Sequence, residues 1–199
     1  MSILGNAVAR IEDRDLLTGR RPFTADLANS DTLHATFIRS DIAHGRIVGI
    51  THPENVHTGA SLALPPLEPW PPTPDRYARP LLAIDTVRYV GDPFAVALGE
   101  TAAEAVDLAT QVIADIEPMT AVIDAEQSEE IAYETEPLID DGVLDEAEIV
   151  IEARFVNQKL APVPMETNSI LVVPRKDRAG LDIWVSTQFP WDIRNSVAA

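Results

Sequence analysis

The chain has 199 residues, 46% of them apolar, enough to pack one sizeable domain or two small ones. Its net charge of −17 repels phosphate backbones, which argues against nucleic-acid binding. Cysteine is absent, excluding disulfides and cysteine-held zinc or iron–sulfur centres in this chain. The opening MSILGNAVAR has no apolar signal core and no run approaches membrane-spanning length, so a cytoplasmic protein without membrane contact is expected.

Residues 1–30 show many charges and little periodicity, and Leu16, Leu17 and Phe23 are expected to pin an extended arm onto something else. Residues 32–39 alternate Leu33, Ala35 and Phe37 against Thr32, His34 and Thr36, which predicts a half-buried strand with the first set inward. Ser40-Asp41 can cap a short helical turn through Ala43, and residues 46–51 read as a second strand. Seven prolines between residues 65 and 80 predict a stiff, extended loop.

Residues 86–116 organise the rest, reading as strand, tight bend, strand and helix. Phe94, Val96 and Leu98 alternate with Ala95 and Ala97, so both faces are apolar, as in a central strand covered on both sides. Gly91-Asp92-Pro93 supplies the bend. Thr101 and Glu104 form a capping box for a helix whose buried stripe is Ala105, Leu108, Ala109 and Val112. Residues 119–123 predict a short edge strand.

Residues 124–148 carry eleven acidic and no basic side chains, and read as a solvated connection; a calcium loop pattern is missing. Beyond it, residues 148–157, 169–173 and 181–187 alternate as three strands, the last two joined in a hairpin by Arg178-Ala179-Gly180. Pro190 stands at the first position of a final helix that nothing terminates, so the second half reads as the opening of a larger domain.

Chemistry-bearing motifs are sparse. Neither a phosphate-cradling glycine loop nor HExxH is present, His52 and His57 are too loosely spaced for one helix face, and Ser186 lacks a GxSxG elbow. Ser186-Thr187-Gln188 is the exception, since it leaves a strand immediately before a proline-led helix, where free N–H groups favour ligands. Gln188 can both donate and accept there, although polar residues at strand exits also serve simply as caps. Glu166 has the same two readings: a ligand-facing group, or a carboxylate bonded to backbone N–H groups.

Several phrases resemble one family in its own order: Gly5-x-x-Val8-x-Arg10-x-Glu12-Asp13, Leu33-His34-Ala35, Arg39-Ser40 and Ala43-His44-x-Arg46-Ile47 come first. Val87-Arg88-Tyr89-Val90-Gly91-Asp92-Pro93, Ile116-Glu117-Pro118, Arg154-Phe155-Val156-Asn157-Gln158, Met165-Glu166 and Ser186-Thr187-Gln188-x-Pro190 follow. Together they are similar to the N-terminal part of the molybdopterin-binding large subunit of the xanthine dehydrogenase, aldehyde oxidase and carbon monoxide dehydrogenase family. The resemblance implies an α+β chain: an N-terminal arm (1–18), an α/β hammerhead domain (19–125), an acidic linker (126–147) and the truncated start of a molybdopterin-binding domain (148–199).

By the same resemblance, the parent enzyme hydroxylates aldehydes, purines or other heterocycles, or oxidises carbon monoxide. The cofactor expected is molybdenum-molybdopterin in its cytosine dinucleotide form, held by the full-length parent and not by this fragment alone. An FAD-binding medium subunit and a 2Fe-2S small subunit are the expected partners. Gln188 matches the family glutamine that hydrogen-bonds an oxo ligand of the molybdenum, and the catalytic base lies beyond residue 199, so no catalytic residue is assigned here. The sequence departs from the family pattern at Thr167 after Met165-Glu166, at Trp191 for a frequent histidine, and across a shortened, proline-rich 52–80. The alternative is a non-catalytic hammerhead interaction module whose acidic connection docks a partner.

Overall fold

The computed structural model describes residues 4–136, 142, 145–158, 160–165 and 167–198. In chain order its elements are α1 (Asp13–Leu17), β1 (His34–Arg39), β2 (Gly45–Thr51), β3 (Val56–Thr58), α2 (Gly59–Leu62) and β4 (Thr86–Val87). Then follow β5 (Pro93–Gly99), α3 (Ala102–Thr110), β6 (Ile113–Pro118), β7 (Ile170–Pro174), β8 (Leu181–Val185) and α4 (Pro190–Ala198). Two compact units emerge: Asp31–Glu152, and a second built from both ends, Met1–Ser30 with Ala153–Ala199.

In the Asp31–Glu152 unit, β5 is the middle strand of an antiparallel sheet ordered β1-β5-β3. Phe94, Ala95 and Ala97 are buried and join Val56, Ala83 and Val87 in one core, the placement expected of a strand apolar on both faces. The small side chains let α3 lie close. A methyl group at Gly99 would come within 2.5 Å of the Ala105 nitrogen, so glycine is what permits this approach. Thr101 Oγ1 accepts from the Glu104 N–H at 3.1 Å, while the Glu104 carboxylate accepts from the Glu100 N–H at 2.8 Å, one residue earlier than in a standard capping box.

The bend before β5 is fastened to the end of β1. Gly91 has φ +97°, its N–H donates to the Ser40 carbonyl at 2.7 Å, and the Ser40 N–H donates to the Asp92 carbonyl at 2.9 Å. Ser40 therefore starts no helical turn. Its buried hydroxyl is occupied with the Ile42 N–H and carbonyl, a local bond that competes with helix.

Three further expectations are corrected in this unit. The helix stops at Thr110, and Ile113–Pro118 is a strand paired with β2 in a second antiparallel sheet, β4-β2-β6. The β-branched residues after Gln111 prefer extended backbone once β2 offers hydrogen-bond partners. Residues 119–123 form no strand. In β1 the inward face is His34, Thr36 and Ile38, while Phe37 is 50% exposed beside the Arg39 guanidinium. Alternation alone identifies two faces without naming the one that the core takes.

The proline-rich loop has a 3-10 turn at Asp75–Tyr77 and doubles back through a Leu67–Arg79 bridge. Within the acidic stretch, a 3-10 turn at Ala125–Gln127 is followed by irregular backbone over residues 128–136; residues 137–141, 143 and 144 lie outside the description. No strand forms over residues 148–157. Ile151 and Phe155 are 85% and 90% exposed, and without a neighbouring strand the apolar alternation has nothing to pair with.

The second unit contains the predicted hairpin. β7 and β8 pair antiparallel from Ile170↔Val185 to Pro174↔Leu181, and Gly180 closes the turn at φ +141°. Arg175 braces it, reaching Asp182 at 2.7 Å and Asp177 at 3.1 Å. Pro190 opens α4, where its missing N–H costs nothing. The N-terminal segment, expected to be an extended arm pinned by Leu16, Leu17 and Phe23, contains α1; Leu17 is 86% exposed, whereas Leu16 and Phe23 line a groove with Pro164 and Val185 in the same unit.

Candidate functional site

The turn from β8 to α4 is held on both flanks. Ser186 donates its N–H to the Ser169 carbonyl at 3.0 Å, and its hydroxyl accepts from the Ser169 N–H at 3.0 Å and donates to the Thr167 carbonyl at 3.0 Å. Thr187 Oγ1 accepts from the Phe189 N–H at 2.9 Å, setting the entry to α4. Gln188 lies between these anchors. Its side chain is exposed, with no hydrogen bond to another described residue.

Gln188 lines a groove of about 640 Å³ together with Ser186, Thr187, Asn168, Arg21 and Glu12. Arg21 and Glu12 neutralise one another through an ion pair of 2.5 Å. What remains is a set of neutral hydrogen-bond donors: two carboxamides, and the Thr187 hydroxyl hydrogen, since that oxygen is accepting from Phe189. Such a set holds an oxygen-rich acceptor without protonating it. A larger groove of about 830 Å³ is lined mostly by apolar side chains, among them Leu27, Ile183, Trp184, Ile193 and Val197, but also by Thr24, Thr187 and Arg194, whose guanidinium stacks on Trp191 at 4.9 Å. Asn168 and Gln188 line the smaller groove and not the larger, so the hydrogen-bonding chemistry of the carboxamides belongs there.

Of the groove residues, the sequence had pointed to Ser186, Thr187 and Gln188, the three at the strand exit. Asn168 and Arg21 stand far from it in the chain, and the only local hints were Asn168 directly after Met165-Glu166-Thr167 and the Arg20-Arg21-Pro22 step. Glu166 lies outside the described residues. Two of the four histidines make ordinary hydrogen bonds, His44 Nδ1 with the Thr120 carbonyl at 2.7 Å and His52 Nδ1 with the Pro53 carbonyl at 2.9 Å. Among the described residues no group of three or more His, Cys, Asp or Glu side chains could hold a metal ion, and no helix is long and apolar enough to cross a membrane.

Two family models match the chain. The aldehyde oxidase and xanthine dehydrogenase a/b hammerhead domain covers residues 18–120, and the molybdopterin cofactor-binding domain covers residues 123–199. The nicotine 6-hydroxylase large subunit of Paenarthrobacter nicotinovorans is 31% identical over 95% of this chain and 26% of its own length. Aldehyde oxidase 1 of Oryctolagus cuniculus is 28% identical over 98% of this chain and 15% of its own. Among solved structures, quinoline 2-oxidoreductase from Pseudomonas putida 86 matches with a TM-score of 0.80 at 28% identity, over 99% of this chain and 28% of that one. The chain thus spans only a minor part of each of these three proteins.

Proposed function

The chain belongs to the aldehyde oxidase and xanthine dehydrogenase family, and on that premise we propose that it forms one wall of the molybdopterin cradle in a hydroxylase large subunit. The groove residues fit one edge of such a group. Gln188 presents an amide with no bond to another described residue, Asn168 a second carboxamide, and among the described lining residues the one carboxylate, Glu12, is already held by Arg21. When bound, the molybdenum group supplies the oxidation chemistry, and the chain's share is orientation and electrostatics. With the group in place, Gln188 would donate an N–H toward its oxo ligand; a carboxamide does this without surrendering a proton. Ser186 and Thr187 hold the backbone from which that amide projects.

In this reading the parent hydroxylates an aldehyde, purine or other heterocycle, or oxidises carbon monoxide, in the cytoplasm. It uses the cytosine dinucleotide form of the cofactor. An FAD-binding medium subunit and a 2Fe-2S small subunit take the electrons, in keeping with a chain that lacks cysteine and a relative named as a large subunit. The catalytic base and the remaining walls of the cradle belong to residues outside this chain, which by itself binds no cofactor and turns nothing over.

The observation that carries the reading is the exposed Gln188 amide on a groove of neutral donors. Its test is Gln188→Ala in the holoenzyme, with molybdenum content and turnover measured side by side. Turnover is expected to fall about 10- to 100-fold with the metal retained. Unchanged turnover removes the role of Gln188, and a parent assembly without molybdenum removes the functional reading as a whole.

A further inference from the structure

We infer that Ser186 is a positioning residue, whose single hydroxyl aims Gln188 and Asn168 into one groove; the inference rests on the reading of Gln188 given above. The β7–β8 ladder ends at Ile170↔Val185. One residue further, pairing continues through the Ser186 N–H to the Ser169 carbonyl, and the return bond is made by a side chain: the Ser169 N–H donates to Ser186 Oγ at 3.0 Å. The same hydroxyl donates to the Thr167 carbonyl at 3.0 Å. Asn168 is therefore bracketed by two backbone groups that both end on Ser186.

Gln188 is two residues from this anchor, and Thr187 between them is fixed by its own bond to the Phe189 N–H. Because the Gln188 amide makes no bond to another described residue, its direction comes from the backbone. An alanine at position 186 leaves the ladder intact but frees the Thr167 carbonyl and the Ser169 N–H. Both sides of the groove then lose their common tie.

The test uses the holoenzyme with Ser186→Ala, Ser186→Thr and Gln188→Ala. It reads hydrogen exchange in residues 167–169 and the molybdenum(V) electron paramagnetic resonance spectrum at equal metal content. In Ser186→Ala, exchange is expected to quicken about fivefold to tenfold, as loss of one hydrogen bond implies. The spectrum is expected to shift in the same sense as in Gln188→Ala, and Ser186→Thr, which keeps the hydroxyl, is expected to restore both. A wild-type spectrum in Ser186→Ala alongside a shifted one in Gln188→Ala overturns the positioning role alone. A wild-type spectrum in Gln188→Ala overturns the underlying reading and this inference with it. Should Ser186→Ala not load the metal, Ser186→Cys takes its place: a smaller shift supports the role, and a wild-type spectrum refutes it.

Discussion

Gly99→Ala measures how much of the Asp31–Glu152 unit depends on the close approach of β5 and α3. The added methyl would stand 2.5 Å from the Ala105 nitrogen and 3.0 Å from both the Ala105 Cα and the Glu104 carbonyl carbon. All three are main-chain atoms of a helix, so no side chain can swing away, and α3 must retreat by roughly 1 Å from a close-packed neighbour. The retreat loosens Ala105, which is fully buried, and Leu108 and Ala109, which pack on the core. Overpacking of this kind costs about 1–3 kcal/mol, and the rigidity of the partners puts this case in the upper half. Reduced freedom of the unfolded chain offsets about 0.4–1 kcal/mol, leaving a net loss of about 2 kcal/mol. Urea unfolding followed by circular dichroism reads the loss, with Gly49→Ala as the control. Nothing lies within 4 Å of a methyl at Gly49, so that variant should stay within about 0.5 kcal/mol of the parent chain. Equal stability of the two variants would refute the assignment of Gly99 to close packing.

Two smaller effects are open to direct measurement. Thr101→Ala removes the acceptor of the Glu104 N–H and should lower unfolding free energy by about 1 kcal/mol, while Thr101→Ser should restore most of it. Hydrogen bonds from Arg175 hold the Asp177 carboxyl below the usual carboxylate range. Its folded value being the lower one, any stability it contributes is present above the unfolded value and is lost as pH falls through the folded one. A carboxyl-detected NMR titration should show this depressed value, and Arg175→Ala should raise it toward the ordinary range; a titration that Arg175→Ala leaves unmoved contradicts the bracing of the hairpin turn.

The most legible parts of the sequence were those whose signals are local. The double-sided apolar run of β5, the Thr101 cap, the Gly91 bend and the Pro190 helix start each rest on neighbours a few residues apart, and all appear where expected. What misled was decided across the chain. Val112 continues the helical stripe begun at Ala105, and only the presence of β2 ends the helix and recruits Ile113–Pro118 into a sheet. Phe37 outranks Thr36 in apolarity, yet the core takes the side of β1 that bears Ile38. Residues 148–157 alternate well enough for a strand, but a strand also needs an adjacent backbone. At the groove, Gln188 was recognisable from the strand exit and the family phrase. Asn168 and Arg21 became visible only when folding brought distant segments to the same place.

That discontinuity has a consequence for synthesis on the ribosome. Domains tend to assemble as their residues emerge, at about 5–20 residues per second. The Asp31–Glu152 unit is uninterrupted and can condense while the message is still being read. The other unit joins Met1–Ser30 to Ala153–Ala199, so its leading segment must wait, unpartnered, for the trailing one. The polar groove is thus completed only after the Asp31–Glu152 unit has emerged, and a message stopped between the two would leave that unit with an orphaned arm.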